Sequence, residues 1–301
     1  MKIAIAGGTG FVGEALANYF LDKNHTVYIL TRNASRYTSS KRLHYLEWLS
    51  PTSAPEHDLQ DIDAFINLAG ESLNSGRWTK VRKQRIVDSR ITATKEVIRI
   101  LKALDKKPEC LINASAIGVY GTSVDETFTE DPTQVGTDFL ADTVSKWEEE
   151  AQKASGLGIR TVFARFGVIL GKDDGALPRM VLPYRFFIGG TVGVGNQWLS
   201  WIHIIDVVKS IEFLIENQDI SGPVNLTSPD PKQMKPFGKA IGKVLGRPHW
   251  LPVPGFALKL LLGEMSILVL EGQKVLPKKL QENHYPFTYV RLEDAIQNLL
   301  K

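Results

Sequence analysis

Apolar residues recur along this chain in short runs separated by amphipathic stretches. Residues 2–6, KIAIA, form a nearly unbroken run, as expected of a strand buried on both faces. Residues 11–22 follow with helical spacing. TVYIL at 26–30 predicts a second strand, LHYLEW at 43–48 a third, and DAFINL at 63–68 a fourth that ends at Ala69-Gly70. Residues 80–104 predict one long helix with Val81, Ile86, Ile91, Val97, Ile98, Leu101 and Leu104 as its apolar positions, and Pro108 closes that region. Leu111 to Ser115 predicts a fifth strand, 138–154 a helix and 160–166 another strand. Strands alternating with helices predict an α/β fold: a doubly wound parallel sheet with helices on both faces. After Gly171 the alternation loosens. A short strand and a helix are expected in WIHIIDVVKSIEFLIE, a strand at 223–227, and helices at 233–246 and 255–270.

The first strand runs into Gly7-Gly8-Thr9-Gly10-Phe11-Val12-Gly13, a Gly-x-x-Gly-x-x-Gly turn that opens a helix. Glycine permits positive φ and close approach of backbone, and the helix start offers free N–H groups and a positive dipole end to a phosphate. In this strand–turn–helix context the pattern points to a dinucleotide, with Gly7, Thr9, Gly10, Phe11 and Val12 around its pyrophosphate. The bland alternative is a packing turn with no ligand. The second strand ends in Thr31-Arg32-Asn33, followed by Arg36. The carboxylate that would bond the ribose hydroxyls of NAD is missing there, and a guanidinium that could grip a 2′-phosphate is present. This favours NADP, with NAD as the alternative. The expected organisation is a Rossmann-type dinucleotide-binding domain over 1–170 and a smaller C-terminal substrate lobe over 171–301, packed on the first and able to return parts of 198–228 to the sheet.

Composition narrows the class. The chain has 301 residues, 43% hydrophobic and 23% charged, with 36 basic against 33 acidic side chains and a net charge of +3. So even a balance, without a block of like charges, argues against nucleic acid. The lone Cys110 excludes a disulfide scaffold and suits a reducing cytoplasm; its apolar neighbours suggest a buried, inert thiol. The N-terminus does not have the form of a signal peptide. Gly255 to Leu270 is too short and too charged for a membrane span. It reads as a helix packed on a core, with an amphipathic membrane-surface helix as the alternative. No metal-ligand spacing and no GxSxG elbow occur.

GGTGFVG at 7–13, INLAGE at 66–71 and NASAIGVYG at 113–121 together resemble the extended short-chain dehydrogenase/reductase superfamily, which includes nucleotide-sugar epimerases and dehydratases. RFGVILGKDDGALPRM (165–180), WLSWIHIIDVV (198–208) and LPVPGFALKLLLGEMSILVLEGQKVLPKKL (251–280) resemble one branch of it, the NAD-dependent epimerase/dehydratase-like group with a C-terminal domain of unknown function. The resemblance implies that Leu68, Ala69 and Gly70 touch the cofactor, that Arg85 and Arg90 face it, and that Lys146 bonds the nicotinamide ribose. It also implies a small-molecule substrate, such as a nucleotide-sugar, and a homodimer through the helices at 80–104 and 138–154.

The superfamily's chemistry uses Ser or Thr, Tyr and Lys, with Tyr four residues before Lys. Here that position is Asp142, and the Ser/Thr position, four before Tyr120, is Ala116. Ser115 lies one residue off, on the other face of its strand. Asp142, Ser115 and His203 join Lys146 as candidate catalytic residues, with Tyr120 and Glu71 behind them. His203 has a suitable pKa for proton transfer, yet is equally readable as a histidine tied to Asp206, itself a candidate N-cap. Arg179, Tyr184, Arg185, Gln197, Trp198 and Trp201 either line a substrate pocket beside the glycines at 189, 190, 193 and 195 or seal the two lobes together. Three functions remain open: an NADP-dependent epimerase or oxidoreductase, a non-catalytic NADP-binding sensor, and a membrane-surface or scaffold protein using the 255–270 helix.

Overall fold

The computed structural model describes residues 1–131 and 135–301. Its centre is one sheet of seven strands: β1 Lys2–Ala6, β2 Thr26–Thr31, β3 Leu43–Glu47, β4 Ala64–Asn67, β5 Cys110–Ala116, β6 Arg160–Phe166 and β7 Gly222–Leu226. Their order is β7-β6-β5-β4-β1-β2-β3, and every pairing is parallel. Period-two alternation divides the apolar runs between two layers. Ile3, Ile5, Ile29, Ile66 and Ile112 face α1 (Phe11–Asp22) and α5 (Ile204–Glu216), while Ala4, Ala6, Leu30, Phe65 and Leu111 face α2 (Lys80–Ala103). The strand expected at 223–227 is β7, the sheet edge beside β6, and between β6 and α5 the chain forms α4 (Leu177–Arg185).

A buried polar cluster ties α2 and α3 (Phe139–Gln152) to the sheet centre. Asn67 at the end of β4 donates to Asn113 on β5 (2.7 Å) and to Thr94 on α2 (3.1 Å), and Trp147 on α3 donates to the same Thr94 hydroxyl (3.0 Å). The Asn67 carboxamide oxygen in turn accepts from the Ala69 amide (3.2 Å), fixing the loop that follows β4.

Three expectations change. The stretch 255–270 is not one helix. α7 (Gly255–Leu262) stops where Gly263 takes φ +60°, and a 3-10 turn and a four-residue helix follow. Nor does α7 pack on a core: it has no buried residue, because its leucines surround it and do not form one face. Val81 is exposed on the outer side of α2. The N-cap of α5 is His203, whose Nδ1 accepts from the Ile205 amide (3.0 Å). Asp206 lies in the first turn and accepts from the Thr288 and Tyr289 amides (2.7 and 2.9 Å).

Replacing Thr94 by Val would leave two buried donors without an acceptor at constant volume. The expected cost is roughly 2 kcal/mol, read by urea unfolding; a variant as stable as wild type would show that the cluster does not hold α2 and α3 to the sheet.

Candidate functional site

β1 and β4 are neighbours whose chains leave toward opposite edges of the sheet, so a crevice opens at their C-terminal ends. A cavity of about 840 Å³ lies there. The turn after β1 supplies Gly7, Thr9 and Gly10; the end of β2 supplies Thr31, Arg32 and Arg36; the loop after β4 supplies Leu68, Ala69, Gly70 and Glu71; α2 supplies Arg85 and Ser89. Gly7 has φ +76°, and a Cβ there would stand 2.9 Å from the Leu68 carbonyl carbon. A Cβ on Gly13 would stand 2.4 Å from the Gly7 oxygen, so the helix start lies directly on the turn. α1 has Gly10 as its N-cap, with no side-chain cap. Its first amides are therefore open toward an anion. Gly10 also lines the cavity beside these amides.

Charge in the crevice is unevenly neutralised. Glu71 holds Arg82 and Arg85, the latter at 2.6 Å. Arg90 donates to the Glu71 and Ile86 carbonyls (3.1 and 3.0 Å) and lies 5.1 Å over the Trp147 ring; burial draws its pKa down to about 10. Arg90 thus braces the Gly70–Glu71 loop. Arg32 and Arg36 are exposed, and no ion pair engages either among the described residues. The Phe11 ring turns away from the crevice onto Gly171 and Gly175, and Val12 packs with the sheet core, so both offer the crevice backbone only.

On α3, Lys146 donates to Asp142 (2.7 Å), each side chain about half exposed at 53% and 55%. Ser115 is elsewhere: its hydroxyl donates to Glu148 (2.5 Å), two residues past Lys146 and on a different side of the helix. Glu148 is paired with Arg165 (2.7 and 2.8 Å), Arg165 donates to the Tyr120 hydroxyl (3.0 Å), and Tyr120 donates to Asn225 (2.8 Å). Burial raises the Tyr120 pKa, so this phenol stays protonated. The structure therefore does not bring Ser115 or Tyr120 to Lys146. Burial also pushes the Cys110 thiol up to about 11, which makes it inert.

His203 is buried, stacked on Tyr289 at 4.0 Å, and neither its ring contact nor its hydrogen bond reaches Lys146 or Asp142. The aromatics singled out in the C-terminal part are also packed. Trp201 is fully buried and donates to the Asp230 carbonyl (2.9 Å), Tyr184 is hydrogen-bonded to His249 (2.8 Å), and Gln197 donates to the Val192 and Val269 carbonyls (3.1 and 2.9 Å). A second cavity, about 480 Å³, is walled by other residues: Trp78 and Lys83 before and on α2, Asp138 to Leu140 at the start of α3, and Lys259, Glu264 and Ser266 after them in sequence. Nothing in the spacing of these residues announces a site, since they come from three separate segments.

Comparison with known proteins finds relatives along the full length of the chain. The NAD dependent epimerase/dehydratase family matches residues 3–226, and a domain of unknown function (DUF1731) matches residues 253–299. Epimerase family protein YfhF of Bacillus subtilis is 53% identical over 300 residues, covering 100% of this chain and 98% of that protein. Epimerase family protein SAOUHSC_00792 of Staphylococcus aureus is 43% identical over 298 residues, covering 99% and 98%. The crystal structure of human epimerase family protein SDR39U1 (isoform 2) with NADPH superposes with a TM-score of 0.88 at 27% identity, covering 99% of each chain. A Bacillus cereus UDP-glucuronic acid 4-epimerase in complex with UDP-glucuronic acid and NAD, at 19% identity and a TM-score of 0.77 over 99% and 97% of the chains, shares the fold.

Burial draws the His203 pKa from 6.5 down to about 4, so the fold favours the neutral ring. That contribution is complete above the unfolded pKa and is lost as pH falls from about 6.5 through about 4. It amounts to about 3 kcal/mol. His203→Asn keeps an N-cap acceptor and removes the titration. Urea unfolding between about pH 7 and pH 4 should show wild type losing more stability than the variant by roughly that amount; parallel pH profiles would contradict it.

Proposed function

The chain belongs to the NAD dependent epimerase/dehydratase family, and we propose that it holds NADP in the β1–β4 crevice and acts on a nucleotide-sugar or other small carbonyl compound as an epimerase or oxidoreductase. The observation that carries this reading is the pair of exposed guanidiniums, Arg32 and Arg36, on the wall of the crevice whose floor is the uncapped start of α1. A pyrophosphate on the α1 amides would set the adenosine toward the end of β2, where two cations without carboxylate partners suit a 2′-phosphate. The human family member crystallised with NADPH supports the same choice.

When bound, NADP would supply hydride transfer through its nicotinamide. Lys146 carries three donors; with one on Asp142, two are left for ribose hydroxyls. Asp142 can take a proton from a substrate hydroxyl as a general base. Asp138 to Leu140, one helical turn before Asp142, open onto the second cavity, which suits the substrate and draws its outer wall from the C-terminal lobe. A lone, buried, unreactive thiol suits a reducing cytoplasm. One observation favours the second reading, an NADP-binding sensor without catalysis: Ala116 and Asp142 stand where the superfamily has hydroxyl groups, and Ser115 and Tyr120 are both committed elsewhere.

Fluorescence titration should show Arg32→Ala weakening NADPH binding by about tenfold or more while NADH binding barely changes; equal loss for both would remove the 2′-phosphate assignment. With a panel of nucleotide-sugars and NADP, reduced nicotinamide should be detected by absorbance. Asp142→Asn should slow its appearance on the order of a hundredfold with NADPH affinity retained. Tight NADPH binding with neither reduced nicotinamide nor an epimerised product from any substrate would select the sensor.

A further inference from the structure

The small net charge conceals a segregation. Between Gly175 and Ile205, and again between Pro231 and Gly263, there is no acidic residue in 64 positions, while eight basic ones occur: Arg179, Arg185, Lys232, Lys235, Lys239, Lys243, Arg247 and Lys259. All 33 carboxylates lie elsewhere with 28 of the 36 basic residues, so the remainder of the chain is net negative. The fold brings the two acid-free segments together. Trp250 donates from its indole to the Phe187 carbonyl (2.8 Å), Arg247 lies 4.2 Å over the Phe187 ring, the Val253 amide bonds Thr191 (2.8 Å), and the Lys235 amide bonds Gly195 (2.9 Å). Lys235, Lys239 and Lys243 are all exposed at four-residue spacing on α6 (Met234–Leu245), with Arg247 just beyond its end.

The same surface exposes apolar side chains that a folded chain would normally cover. Phe186, Phe187 and Ile188 form a loop tip, with Trp250 and Leu251 beside it, and α7 adds Phe256 and Leu260, 76% and 80% exposed. Phe187 has φ +60°, a backbone region that bulky residues rarely occupy. Exposed aromatic and aliphatic side chains gathered where Trp250 meets Phe187 mark an interaction site. We propose that this face docks on an anionic lipid surface, the Phe, Trp and Leu side chains entering the headgroup boundary and the α6 lysines meeting lipid phosphates. Charge complementarity selects this occupant. A second copy of the same face would set basic residues against basic residues, and a nucleic acid would offer little to Leu260, Ile188 and Leu251. α7 is too short to span a bilayer, and no described helix is long and apolar enough to do so, which leaves docking on the surface.

Vesicle flotation tests it. Wild type should float with an equimolar mixture of phosphatidylglycerol and phosphatidylcholine at low salt, and remain free with phosphatidylcholine alone. Phe256→Asp, and separately Lys239→Glu with Lys243→Glu, should each weaken partitioning by at least about tenfold, with unchanged circular dichroism and thermal midpoint, since all three side chains are exposed. Brominated lipid should quench wild-type fluorescence and quench Trp250→Phe much less. Failure of wild type to float, equal flotation of the variants, or a dimer that Phe256→Asp dissociates would overturn the proposal, as would tighter binding to a DNA oligonucleotide than to the anionic vesicles.

Discussion

The close approach of the turn after β1 to the end of β4 is the constraint on which the site depends. Gly7 must take positive φ and has no room for a side chain against the Leu68 carbonyl, and Gly13 must let α1 rest on that turn. Only then do the uncapped amides of α1 open into the crevice where the strand order reverses. The buried cluster of Asn67, Asn113, Thr94 and Trp147 holds the other wall. It satisfies four polar side chains at the sheet centre, and its Asn67 fixes the Leu68–Ala69 backbone against which Gly7 is packed. The polar interior and the glycine turn are thus one device: the first sets where β4 ends, and the second brings the anion-binding amides to that point.

Much of the fold was legible because its elements are strongly periodic. The apolar runs at 2–6, 26–30 and 160–166 and the helix at 11–22 declare themselves by spacing, and the sheet finds them within a residue or so. The crevice was also legible, because glycine at fixed offsets between a strand and a helix has few other uses. The second cavity was not, since Trp78, Lys83, Phe139 and Glu264 meet only after the chain has folded. Residues 255–270 misled for a different reason. Apolar composition suggested burial, but burial needs one face, and leucine on every side of a two-turn helix provides none.

Arg90, Ser115 and His203 show how a residue type can suit chemistry and still be occupied by structure. Ser115 and Tyr120 belong to one buried chain of hydrogen bonds that runs from Ser115 through Glu148, Arg165 and Tyr120 to Asn225, with Ser115, Arg165 and Asn225 in a row across β5, β6 and β7. Freeing either hydroxyl would leave a buried charged pair short of a partner, which costs more than the single bond removed. Arg90 turns its Nη1 to two carbonyls and lies over the Trp147 ring. What remains uncommitted at the crevice is Arg32 and Arg36, so the groups with unused capacity, more than those with apt chemistry, indicate where a ligand belongs.

The same reasoning applies to the surface as a whole. Counted along the sequence, the basic residues look scattered, and the +3 net charge suggests no preference for a partner. Folding sorts them by what surrounds them. Glu71, Glu148, Glu56 and Glu212 each hold Arg or Lys on the helices and loops around the seven-stranded sheet, whereas the lysines of α6 have no acidic residue on their own or the adjoining acid-free segment. A cation paired in the fold contributes to shape; one left without a carboxylate contributes an outward field. The unpaired cations on α6 flank exposed aromatic rings and those at Arg32 and Arg36 flank a polar crevice, so one electrostatic feature underlies both the ligand and the surface proposed above.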